Sequence, residues 1–178
     1  MSGHAENQAN VKFSYKKYYS FRNKIATKFS ERFNADMMIG EVGNALCYGD
    51  TQPAVVVSTD PLLIAAYSDE MDAVVMLKYF AEFAEQYNLS VGTRLTTSNV
   101  YSYGNTIAED IHVGPKYSAQ FSDFTPIVQL FLGKNDEKIM QKTSLFGEDT
   151  WQAVSQMAEE YSRLYPDAAR DGFYYFKK

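Results

Sequence analysis

Only one cysteine, Cys47, occurs in the 178 residues, which excludes an intrachain disulfide and a cysteine-based metal site. Histidine is nearly as scarce, and His112 is the one histidine outside the polar opening of the chain. Long apolar runs are missing too. The longest, including Ala54–Val57, Leu62–Tyr67 and Ala73–Leu77, fall far short of the roughly 18 residues a membrane helix needs. Met1 to Asn10 holds no apolar stretch, so no secretory signal is read there and a cytoplasmic location is expected. The sequence contains no GxxxxGK[ST], GxGxxG, GxSxG or HExxH pattern, and the common nucleotide-binding and hydrolase signatures therefore have no foothold. No cofactor and no metal site are expected.

What is present is core material. Hydrophobic residues make up 46% of the chain and charged residues 22%, the balance of an ordinary globular domain. Fourteen Tyr, twelve Phe and one Trp supply enough burial for a single fold without covalent staples. The reading is one α+β domain over 11–178, preceded by a disordered polar tail over 1–10.

Periodicity divides that domain. Tyr18, Ile25, Phe29 and Phe33 recur at helical spacing and predict one amphipathic helix over Ser14–Phe33. Gly43-Asn44 between Met37–Val42 and Ala45–Tyr48 suits a tight hairpin turn. Short apolar runs then follow at Ala54–Val57, Leu62–Tyr67 and Ala73–Leu77, separated by polar turns. Connections this short require antiparallel pairing. Phe80, Phe83, Ala84 and Tyr87 mark a short helix, Leu89–Tyr103 a Thr-rich strand and Ile127–Leu132 a buried strand. Trp151, Val154, Ala158, Tyr161 and Tyr165 predict a closing helix over Thr150–Tyr165, capped by Asp149 and ended by Pro166. The segment 105–124 has no clear period. The expected architecture is a mainly antiparallel meander, with an N-terminal and a C-terminal amphipathic helix packed on one face.

Several patterns bear on chemistry. Asp69, Glu70 and Asp72 share one turn and Asp60 another. A strand of about 20 Å separates the two turns, and a short acidic turn is usually just solvated. Asp110 stands two residues before His112, so on a strand it could orient the imidazole as a general base. Cys47 between Leu46 and Tyr48 reads as a small core hydrophobe. Ile39–Leu46 resembles in outline the GXXG loop of KH domains, but Glu41 would stand where that loop meets phosphates, and the hairpin accounts for the same residues.

Charge is segregated. Lys12, Lys16, Lys17, Arg22, Lys24, Lys28 and Arg32 face a lone Glu31 between Val11 and Phe33, while the whole chain carries −5. The overall acidity disfavours nucleic acid. Phe173, Tyr174, Tyr175 and Phe176 crowd the C-terminus, and four consecutive aromatics cannot all face inward from one strand. The reading adopted is a non-enzymatic module that binds a protein partner or itself as a homo-oligomer, through Phe173–Phe176 and the Lys16, Lys17, Lys24 and Lys28 face. The alternatives are a small-ligand or catalytic site around His112 and Asp110, and an anion-binding module built on the same lysines.

Overall fold

A computed structural model describes residues 7–174. The chain opens with three helices, α1 (Tyr15–Ile25), α2 (Phe29–Met37) and α3 (Ile39–Tyr48). It continues through β1 (Asp50–Thr59), β2 (Leu62–Ser68), β3 (Ala73–Tyr79), α4 (Glu82–Gln86), β4 (Arg94–Ser102), β5 (Ile111–Val113) and β6 (Asp123–Val128). It closes with α5 (Gln129–Leu132), α6 (Asp136–Gln141), α7 (Glu148–Leu164) and β7 (Arg170–Asp171). The strand order is β5-β3-β2-β1-β4-β6, every pair antiparallel, with β7 added parallel to β3. The α+β class with a largely antiparallel sheet is as the sequence predicts.

The helices divide between two faces of the sheet, because the strands carry apolar side chains in both directions. Ala54, Val56, Ile64, Ala66, Val75 and Leu77 join Tyr18, Phe21, Val42 and Leu46 of the N-terminal helices in one core. Val55, Ala65, Tyr67, Val74 and Met76 pack on Val154, Met157, Ala158 and Tyr161 of α7 in another. Strands buried on both sides read as continuous apolar runs rather than alternations. A run without alternation cannot say on which side a helix sits.

Several elements differ from their sequence-based expectation. The single helix over Ser14–Phe33 is broken at Ala26–Lys28, where Glu31 Oε2 accepts the Thr27 and Lys28 amides at 2.9 and 3.0 Å. Those are the orphan donors of a helix start, so the lone anion of a basic segment begins a second helix. The hairpin at Gly43-Asn44 is instead α3, whose Val42, Ala45 and Leu46 fall at helical spacing on the core. Ile127–Leu132 straddles a junction, being strand through Val128 and helix from Gln129. The closing helix begins two residues earlier than expected, after Gly147 rather than Asp149.

The polar N-terminal segment is attached where the structure describes it. Ala9 is buried, its amide donates to the Gly49 carbonyl, and Gln8 bridges to Asp50. Residues 1–6 lie outside the described region. Among the described residues, no helix is long and apolar enough to cross a membrane.

The sheet curls until its two edges meet through Arg170. From β7 on the β3 side, the guanidinium donates to both Asp110 oxygens at 2.8 and 2.7 Å. It also reaches β6, donating to Asp123 Oδ1 at 3.0 Å and to the Phe124 carbonyl at 2.8 Å. Burial opposes the charge, yet the two carboxylates outweigh it and raise the Arg170 pKa above its ordinary value. Removing the cation leaves two half-exposed carboxylates facing each other and a carbonyl without its donor. Arg170→Met is expected to lower unfolding stability by about 2–3 kcal/mol, read from urea denaturation. A loss under about 1 kcal/mol would show that the clasp is an ordinary surface pair.

Candidate functional site

Three places gather polar or exposed side chains that the core does not account for. The first is at the start of β1. Antiparallel pairing brings Asp50 beside the β2–β3 turn, so the carboxylates of Asp50, Asp69 and Glu70 lie within 4.8 Å of one another. Asp60 is at the far end of β1, as the strand length requires, and Asp72 has turned away to accept the Tyr67 hydroxyl and the Lys116 amide.

Asp50 is 4% exposed and the Gln52 side chain is fully buried beside it. Gln52 Nε2 donates to Asp50 Oδ2 at 2.6 Å and also to Asp69, while the Asp69 amide donates to Gln52 Oε1 at 3.2 Å. The Tyr101 hydroxyl donates to Asp50 Oδ2 at 2.9 Å. Burial first, then the charges of Asp69 and Glu70, push the Asp50 pKa up to about 6 against the pull of these hydrogen bonds. The three carboxylates have the hard oxygen chemistry that suits a divalent cation. The Gln52 amide already supplies the positive end of a dipole to two of them, and the arrangement reads as a self-satisfied polar plug.

The second place is around His112. Asp110 does not orient the ring, because Arg170 holds both its oxygens. His112 Nε2 meets Glu160 Oε2 of α7 at 3.1 Å instead, and its ring lies 6.0 Å from that of Tyr165. Cys47 sits on α3, half-buried, and no hydrogen bond joins it to His112 among the described residues. The His112–Glu160 pair ties β5 to α7.

The third place is the N-terminal helices. Because α2 restarts after Lys28, its apolar residues are rotated away from the stripe that α1 buries. Tyr18 and Phe21 point inward, whereas Phe29, Phe33 and Met37 are 86%, 59% and 69% exposed. Spacing of four residues places the three on one side of α2. The helix is fastened elsewhere: the Tyr18 hydroxyl donates to the Ala35 carbonyl on the opposite side, Arg32 Nε donates to the Ala26 carbonyl at 2.9 Å, and Arg22 lies 3.2 Å from Asp36 without hydrogen-bond geometry.

The four predicted lysines do not form one face. Lys17 Nζ is held by the Leu130 carbonyl at 2.5 Å and Asp136 at 2.6 Å, Lys24 stands 4.9 Å over the Phe83 ring, Lys28 begins α2, and Lys16 is exposed. Phe173 is 3% exposed and packs among Phe21, Tyr79, Phe80 and Phe83, so it belongs to the core. Tyr174 is half-exposed, and Tyr175 and Phe176 lie outside the described residues. Sequence reasoning missed Asp50 and the outward face of α2. Their signals were a carboxylate opening a strand and Glu31 three residues after Lys28.

Comparison with protein-family models, curated proteins and solved structures found no match.

The raised pKa of Asp50 has a thermodynamic consequence. The native carboxyl holds its proton more tightly than the unfolded one, so stability is fullest below the ordinary value of 3.8 and is lost as pH rises through about 6. Asp50→Asn keeps an oxygen for Gln52 and Tyr101 and turns an amide toward Asp69. It is expected to raise stability by about 1–2 kcal/mol at pH 8 and by nothing at pH 4, measured by denaturant unfolding at the two pH values. An equal effect at both would place the cause in packing.

Proposed function

We propose that the protein is a binding module whose α2 docks an acidic amphipathic helix of a partner protein. The observation that carries this reading is the exposure of Phe29, Phe33 and Met37, an apolar stripe at i, i+4 and i+8 left uncovered by the chain's own core. Scattered apolar side chains are normal on a surface, whereas a contiguous row on one helix marks an interaction site. The spacing matches helix-to-helix recognition, in which anchors recur every three or four residues.

Charge selects the occupant. The positive charge beside the stripe comes from α1, which carries Lys16, Lys17, Arg22 and Lys24 and no anion, whereas α2 with its cap balances Lys28 and Arg32 against Glu31 and Asp36. A symmetric dimer through α2 would set this cationic region against its own copy, which costs free energy. A partner helix with carboxylates flanking its apolar row relieves that repulsion and adds attraction. The stripe thus replaces the C-terminal aromatics as the surface argued for protein binding.

The test places a photo-reactive phenylalanine at position 37 in the intact protein, in living host cells, with position 155 on the outer face of α7 as control. The expected adduct at position 37 maps by mass spectrometry to a partner segment with acidic residues and apolar residues at helical spacing. Phe29→Ser with Phe33→Ser is expected to cut its yield about tenfold, while unfolding stability moves by under about 0.5 kcal/mol because both rings are exposed. Adducts equal at the two positions, an adduct to a basic or extended segment, or one to a second copy of this chain would overturn the reading.

A further inference from the structure

Between the first turns of α1, the end of α4 and the loop Gly133–Asp136 lies a cleft of about 460 Å³, within the roughly 300–1,000 Å³ range of small-ligand sites. Three lysines line it, Lys16, Lys17 and Lys134, against one carboxylate, Asp136. Lys17 and Asp136 neutralise each other at 2.6 Å, and the Lys17 ammonium lies 5.4 Å from the Tyr87 ring centre. Lys16 and Lys134 are left without a carboxylate partner among the described residues.

The walls are fixed. The Lys134 amide donates to the Lys12 carbonyl at 2.7 Å, and the Ser14 amide to the Leu132 carbonyl at 2.8 Å. Asn135 holds a left-handed conformation, φ 68°, while its side chain caps α6 through the Lys138 amide. Phe21 and Tyr87 give the cleft an apolar side, and Ser20 adds a hydroxyl. Burial and the charge of Asp136 push the Tyr87 pKa up to about 12.

Two unpaired ammonium groups beside hydroxyl donors and an aromatic wall define a ligand chemistry. We propose that this cleft binds a small organic dianion, its two charges held by Lys16 and Lys134 and its apolar body resting on Tyr87. The dianion is a phosphate monoester or a dicarboxylate. This site is independent of the α2 stripe.

Two probes separate the sources: phenyl phosphate for the phosphate ester and phthalate for the dicarboxylate, with benzoate as the monoanionic control. Each is titrated into isotope-labelled protein and followed by amide and side-chain shifts. At least one dianion is expected to bind about tenfold more tightly than benzoate, to move resonances of Ser20, Tyr87 and Lys134, and to weaken as salt rises. Lys16→Gln with Lys134→Gln is expected to abolish the preference for the dianion, with the thermal midpoint unchanged because both side chains are exposed. Tyr87→Phe is expected to weaken it severalfold, and Phe29→Ser with Phe33→Ser to leave it alone. Shifts centred on Lys24 and Lys28, dianion affinity equal to that of benzoate, or a double lysine variant that binds as well as the parent would overturn the proposal.

Discussion

The fold depends on a cation near the end of the chain. Arg170 is largely shielded, its side chain 12% exposed, and a guanidinium there without partners would be costly. It is tolerated because Asp110, Asp123 and the Phe124 carbonyl converge on it from two different edges of the sheet. The same requirement draws those edges together. With Arg170 in place, Phe173 three residues later enters a cluster of Phe21, Tyr79, Phe83 and Phe131, so an electrostatic bridge at the rim and an aromatic core behind it are consequences of one closure.

A second constraint acts on the middle of the sheet, where β4 is polar yet buried. Thr96, Thr97, Ser98 and Asn99 are all nearly inaccessible, a composition that would ordinarily be penalised. Gln129 answers it from the start of α5. Its Nε2 donates to the Thr97 carbonyl at 3.0 Å and lies within bonding distance of Ser98 and Thr51 hydroxyls, while Thr96 donates to its Oε1 at 3.0 Å. Asn99 donates to the Tyr67 carbonyl at 2.9 Å. Shifting the register by one residue would break this network as well as swap the faces, so the polar strand fixes alignment where apolar side chains alone would not.

These two features explain what was legible in the sequence. The strand β2 over Leu62–Ser68 was read nearly to its boundaries, since its neighbours and its apolar run agree. The strand β1 extends four residues earlier than its apolar part, through Asp50, Thr51 and Gln52, because β4 supplies their pairing partners. No local pattern contains that information. The helix break at Ala26–Lys28 carries no glycine or proline, and continuous periodicity concealed it. Gly43-Asn44 carries a hairpin preference that the packing of Val42 and Leu46 on the core overrides. Asp50 and Lys134 became visible as site residues only after distant segments were brought together, and separation in sequence, rather than weak chemistry, hid them.

The break between α1 and α2 underlies the proposed docking surface. A continuous helix from Tyr15 to Phe33 would have carried Phe29 and Phe33 along the stripe that buries Tyr18 and Phe21, leaving no apolar surface. Restarting the helix turns those rings outward, and the contacts of Tyr18 with Ala35, of Arg22 with Asp36 and of Arg32 with the Ala26 carbonyl hold it there. A helix already ordered loses little conformational freedom when a partner arrives, so more of the contact free energy appears as affinity. The cleft at the other end of α1 follows the same logic, since the Lys12–Lys134 and Ser14–Leu132 backbone bonds set its walls before any ligand enters. Both surfaces are therefore set by contacts of α1 and the segment just before it, so the proposed recognition rests on that region rather than on the C-terminal aromatics.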